Sequence, residues 1–184
     1  MALLKQLGST LAAILMITCG FPAHAADAAS PYRIKAAFLL NFTHFVEWPA
    51  NAFGAANDPL VIGIFGKDPF DGALEQMADG KTVDGRQIRV RIVSDADALR
   101  LCHLVFVPAA ETRVYRRLAD GLAGLSILTV GEVDGFAKRD GMINFVIDDG
   151  HVRFEVNPSA AAQVHLQVSS KLLQLAVVVG KPSR

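Results

Sequence analysis

The chain has 184 residues, 52% of them hydrophobic, with 18 basic side chains balanced by 18 acidic ones. That is ample material for a core, and the neutral balance has no basic excess to suggest nucleic acid or an anionic membrane as partner. Of the two cysteines, only Cys102 lies beyond the apolar N-terminus, so an exported form has no intramolecular disulfide and carries one buried, inert thiol.

The first residues predict a secretory signal peptide over residues 1–25. Lys5 supplies the positive start, Leu11 to Ile17 a short apolar run, and Ala23-His24-Ala25 the small residues of a cleavage site. The run is far shorter than the roughly 20 residues a membrane span needs. Met16-Ile17-Thr18 is a poor lead-in for lipidation at Cys19. Cleavage is expected after Ala25, and residues 31–180 are expected to form one domain.

The segment Phe38 to Pro49 reads FLLNFTHFVEWP. As a helix stopped by Pro49, it places Asn41, His44 and Glu47 in one narrow polar stripe beside Phe38, Phe42, Phe45 and Val46. A helix that is nearly all buried, with a polar seam meeting something, is the expectation. Asn41 and Glu47 satisfying buried backbone groups is one account of the seam. Trp48 is expected at an interface or pocket wall, since an amphipathic indole suits a half-covered helix end.

Short apolar runs then alternate with amphipathic segments. Strands are predicted at Leu60 to Phe65, Gln87 to Val93, Leu101 to Val107 and Ser126 to Val130, and helices at Phe70 to Ala78 and Glu111 to Ala119. The period-two run QIRVRIV should have one solvated face, and LCHLVFV should be covered on both. This alternation predicts a parallel sheet built by crossovers. In GIFGKDPFDG, Asp68 as a helix cap and Pro69 at the first helical position explain the segment better than a phosphate loop, whose glycine and lysine-serine signatures are missing.

The last third predicts an antiparallel hairpin, Met142 to Ile147 and Val152 to Val156, turning at Asp148-Asp149-Gly150-His151. Leu172 to Val179 reads as a final helix apolar almost all round, packed in the core or in an oligomer interface. The fold class is therefore α/β: a single domain with a mixed, mostly parallel sheet flanked by helices, a C-terminal antiparallel hairpin and a final helix.

No residue pattern makes a case for catalysis. Only His44 and Glu47 pair two ligand types within one helical turn, so no metal site is expected, and no nucleophile elbow or paired-carboxylate motif occurs. Arg153 and Glu155 share one face of the hairpin, either as edge charges or as partner contacts. Asn157-Pro158 repeats the cap-then-proline grammar of Asp68-Pro69, and Ser169-Ser170-Lys171 reads as a helix cap.

Taken in order, KAAFLLNFTHFVEWP (from Lys35), GKDPF, GRQIRVR, CHLVFV, ILTVGEVDGF, GMINF, VRFEVN and SSKLLQLA resemble the YfiR/HmsC family of exported regulatory proteins. The likeness runs from Lys35 to about Ala176. It implies a non-enzymatic periplasmic repressor that binds the periplasmic region of an inner-membrane diguanylate cyclase, lowers cyclic di-GMP and restrains biofilm and exopolysaccharide output. It also implies a homodimer and no cofactor. The partner- or ligand-binding residues expected are Asn41, Glu47 and Trp48, which resemble the family's signature, and, from the reading of the residues themselves, Arg153, Glu155, Asn157, Ser169 and Lys171. An alternative from a different class is a small-molecule sensor whose pocket is lined by Glu155–Asn157 and Ser169–Lys171. Two departures stand out: Asp140 precedes Gly141 where the family tends to have a second glycine, and Val164-His165-Leu166 replaces a frequent Ala-Gly-Leu. The family's redox-linked cysteine pairs have no counterpart in Cys102 alone.

Overall fold

In the computed structural model, which describes residues 30–180, Pro31 opens α1 (Pro31–Phe45) at the position where a missing N–H costs nothing. The signal peptide expected over residues 1–25 lies outside the described residues. After α1 come β1 (Val46–Glu47), β2 (Leu60–Phe65), α2 (Ala73–Ala78), β3 (Thr82–Val83), β4 (Arg86–Val93) and α3 (Ala96–Arg100). Then follow β5 (Leu104–Val107), α4 (Thr112–Ala119), β6 (Leu128–Gly131) and α5 (Phe136–Arg139). The chain ends with β7 (Ile143–Asp148), β8 (His151–Val156), α6 (Pro158–Gln163), β9 (Gln167–Val168), α7 (Ser170–Leu175) and β10 (Val177–Val178).

Eight strands form one sheet in the order β10-β8-β7-β6-β5-β2-β4-β3. Only β3–β4 and β7–β8 pair antiparallel, so the α/β class with a mixed, mostly parallel sheet is what the chain adopts. The hairpin turns through Asp149 and Gly150, both at positive φ, the backbone a tight two-residue connection requires. Leu39, Phe42 and Leu74 of α1 and α2 pack on one face of the sheet. Leu99, Tyr115 and Phe136 of α3, α4 and α5 pack on the other. Phe42 meets Phe154 and Phe145 at centroid distances of 5.2 and 5.8 Å, which seats α1 on the hairpin. Burial of each such ring stabilises by about 1.5–3 kcal/mol.

The structure corrects several expected boundaries. The opening helix ends at Phe45, well before Pro49, because Val46 and Glu47 pair antiparallel with Val168 and Gln167. Asn41 and His44 face solvent rather than a buried seam, and Glu47 is no longer on the helix. Buried backbone groups are therefore not what Asn41 and Glu47 serve. Asp68 accepts from the N–H groups of Phe70 and Gly72, capping a turn, and the helix starts only at Ala73. Leu101 is exposed at the end of α3, an unpredicted helix, so the following strand begins at Leu104.

The largest correction is at the C-terminus. The expected helix Leu172 to Val179 stops at Leu175, and Val177–Val178 join the sheet edge parallel to Glu155 and Val156. Consecutive valines are stiff at χ1 and prefer the pleated edge to a helix. Only Leu172 of the segment is buried; Leu175, Val177 and Val178 are 71%, 54% and 55% exposed.

Candidate functional site

Strand order reverses around β2, which lies between β4 and β5. In open α/β sheets the crevice beyond the carboxyl ends of the strands at such a point is the usual ligand site. Here the chain fills it. Lys35 Nζ donates to Glu132 Oε2 at 2.6 Å, the Tyr32 hydroxyl to Glu132 Oε1 at 3.1 Å and the Ala109 N–H to the same oxygen at 2.9 Å. The Lys35 and Glu132 side chains are 10% and 5% exposed. Tyr32 meets Phe70 edge-on at 5.7 Å. Gly66, at φ +75°, lies where a Cβ would run into the Glu111 side chain. Burial, together with the Glu132 carboxylate beside it, holds the Tyr32 hydroxyl above its ordinary pKa. The carboxylate takes three donors, two on Oε1 and one on Oε2, which suits an anchor of α1.

The opposite ends of the strands carry a second knot. His103 Nδ1 accepts from the Val61 N–H at 3.0 Å, and its Nε2–H donates to Ala52 O at 3.2 Å. These two bonds require the neutral ring, and burial lowers its pKa accordingly. Phe53 stacks on His103 at 4.3 Å, and the Arg86 guanidinium lies 3.8 Å over Phe53 while donating to Ala55 O and Asp58 O. Cys102 is buried beside it, its thiol pushed up to about 11 chiefly by burial. Such a thiol stays protonated and unreactive.

The expected contact residues are spread over several surfaces. Asn41 lies with Arg33, Ile34, Ala37, Phe38 and Met77 on a largely apolar hollow of α1. Glu47 and Trp48 border another, with His165 and Gln167, and the Trp48 Nε1–H donates to His103 O at 3.1 Å. Arg153 is exposed and pairs with Asp148 at 2.9 Å. Glu155 is half-buried and accepts from Asn144 Nδ2 at 3.3 Å. Asn157 caps α6 through the Ala160 N–H and donates to Ala137 O, at the rim of a groove of about 700 Å³ bounded by α4, α5 and α6. Ser169 caps α7 through the Leu172 N–H, its own N–H bonds Phe45 O, and Lys171 is exposed. The structure thus joins Glu47 with Trp48, but it sends Asn157 toward α5 and Ser169 toward the end of α1.

Sequence reasoning missed Lys35, Glu132, Tyr32 and His103. A signal was available for Lys35, which shares the i, i+4, i+7 face of Leu39 and Phe42 and so had to be buried and paired. Nothing local marks Glu132, whose side-chain partners lie 97 and 100 residues away.

Among the described residues no group of three His, Cys, Asp or Glu is placed to hold a metal ion. What the surface offers is contact area: the hollow on α1, the groove at Asn157 and the apolar stretch from Leu175 to Val178. No curated protein matches the chain. A family model described as YfiR/HmsC-like matches residues 32–177.

Proposed function

This chain belongs to the YfiR/HmsC-like family, whose members act as periplasmic regulators, and from that premise we propose that it represses an inner-membrane diguanylate cyclase by direct contact with the enzyme's periplasmic region. The observation that carries a contact role is the filled switch-point crevice: Tyr32, Lys35 and Glu132 occupy the place where the fold would otherwise take a substrate. Surfaces rather than a catalytic cleft then do the work. A repressor that binds the inactive conformation of its partner shifts the population by its differential affinity for the two states. Trp48, half-buried beside exposed Glu47, and Glu155 with Arg153 are the contact residues this reading assigns. The protein acts in the periplasm as a homodimer.

Deletion of the gene is expected to raise cyclic di-GMP, and only in cells that express the partner cyclase. Trp48→Ala or Glu155→Ala should reproduce the deletion, each weakening contact by about 2 kcal/mol, roughly thirtyfold. Circular dichroism must show each variant folded. A deletion strain with parental cyclic di-GMP, the cyclase being expressed, defeats the reading.

The groove of about 700 Å³ at Asn157 favours a second reading, a sensor of small molecules. A thermal-shift screen against nucleotides, amino acids and vitamins tests it, because a ligand stabilises the fold by RT ln(1 + [L]/Kd).

A further inference from the structure

Strand β4 has an edge that the sheet leaves open. Over Ile88–Val93 it pairs with β2 on one side, from Leu60↔Ile88 to Phe65↔Val93. On the other side β3 reaches only Arg86 and Gln87, and the Ile88 N–H donates to Lys81 O at 3.0 Å. Backbone groups of successive strand residues point to alternate sides, so the outward bond of Ile88 puts those of Val90 and Ile92 outward too. Val93, out of phase with them, accepts the Gly66 N–H on the β2 side. Among the described residues no strand lies beyond Val90 and Ile92.

The side chains along this edge alternate as well. Ile88 packs in the core under α1 and α2, whereas Val93 packs in the core under α3 and α4. Arg89 and Arg91, in phase with Val93, stand on the α3 side; both are exposed, and neither side chain makes a hydrogen bond or ion pair with the described residues. Ile92 points the other way and is 65% exposed, a large uncovered area for a β-branched apolar side chain. A groove of about 640 Å³ runs along the edge between β4 and α2.

We propose that the β4 edge receives an extended strand of a partner protein, one that alternates acidic with apolar side chains. Main-chain bonds to Val90 and Ile92 would extend the sheet, in the manner of strand addition to an exposed edge. Directly opposed side chains are the unit of specificity: acids fit opposite Arg89 and Arg91, and apolar groups cover Val90 and Ile92. The same charges disfavour a second copy of this chain in the register centred on Val90. An antiparallel copy centred on Val90 sets Arg89 against the other Arg91, a like-charge pairing that destabilises such contacts. The proposal needs a partner strand of this pattern and is independent of whether the regulated enzyme is a cyclase.

The test uses nitrogen-15-labelled protein, from Ala26 to the C-terminus, with two short synthetic peptides, one alternating Glu with Val and the other Lys with Val. The Glu peptide is expected to slow amide exchange of Val90 and Ile92 by roughly tenfold or more, and to lose affinity as salt screens the charge pairs. The Lys peptide should do neither. In an Arg89→Glu, Arg91→Glu variant, whose exposed changes leave the fold intact, the preference should invert. Val90→Pro, tolerated where the N–H faces outward on an edge, should abolish the protection that the Glu peptide gives Ile92. Unchanged exchange at Val90 and Ile92 with the Glu peptide overturns the proposal. So does equal protection by the two peptides, or concentration-dependent protection of these amides in the free protein.

Discussion

His165 sits at φ +61°, in the left-handed region, at the position where the family resemblance sets a glycine. A side chain there costs roughly 1–2 kcal/mol, partly offset by the larger unfolded-state entropy of glycine. His165→Gly should therefore stabilise the protein by about 0.5–1 kcal/mol, read as a higher urea midpoint at unchanged slope. Asp140, the other departure, needs no such conformation: its φ is −117°, and it holds Arg116 through two bonds of 2.7 and 2.6 Å. His103 makes a pH prediction. Its pKa is lowered in the folded protein, so below the ordinary value of about 6.5 the unfolded chain takes up a proton that the native chain refuses. Its contribution is intact above pH ~6.5 and is lost as pH falls toward the folded pKa. Urea denaturation at stepped pH should show that slope, and His103→Gln should flatten it. An unchanged slope in the variant would mean the Val61 and Ala52 bonds do not hold the ring neutral.

At the scale of elements, α1 is held by two attachments of different kind. Its apolar face is seated by Phe42 against Phe145 and Phe154, and its N-terminal half is fixed by Tyr32 and Lys35 on Glu132. Removing one member of a buried pair strands the other charge, which costs about 3–5 kcal/mol, whereas replacing both with apolar groups can be neutral. Glu132→Leu and Lys35→Met should each be strongly destabilising. The double variant Lys35→Met, Glu132→Leu should recover most of the loss, and a double-mutant cycle by chemical denaturation measures the coupling. A near-additive cycle would show that the pair does not anchor the helix. The end of α1 follows the same logic, since β9 captures Val46 and Glu47 into a two-strand ladder that a helix cannot share.

For the whole molecule, the two edges of the sheet differ in chemistry. The β4 edge is basic, whereas the β10 side exposes Leu175, Val177 and Val178 without a charge between them. Contiguous exposed apolar surface of this kind marks an association site. The homodimer is expected to cover the β10 side, and Leu175→Glu with Val177→Lys should shift it toward monomer in light scattering at micromolar concentration. A monomer in the unmodified protein at that concentration would leave the homodimer without support. The intact dimer of the double variant would move the interface elsewhere, to α1 for example.

Local pattern determined a large part of this protein. Period-two and continuous apolar runs located β2 with its observed bounds, together with the double burial of β5 and the β7–β8 hairpin, because side-chain alternation and turn residues act within a few positions. The order of the family blocks placed the chain in the YfiR/HmsC-like family. Tertiary structure alone decided where α1 stops, that Val177 and Val178 become an edge strand, and that Asn41 is solvated. It alone brought Lys35 and Tyr32 onto Glu132 and Val61 onto His103. Those outcomes rest on hydrogen bonds and charge pairs between residues far apart in the chain, whose strength depends on burial that no local window contains.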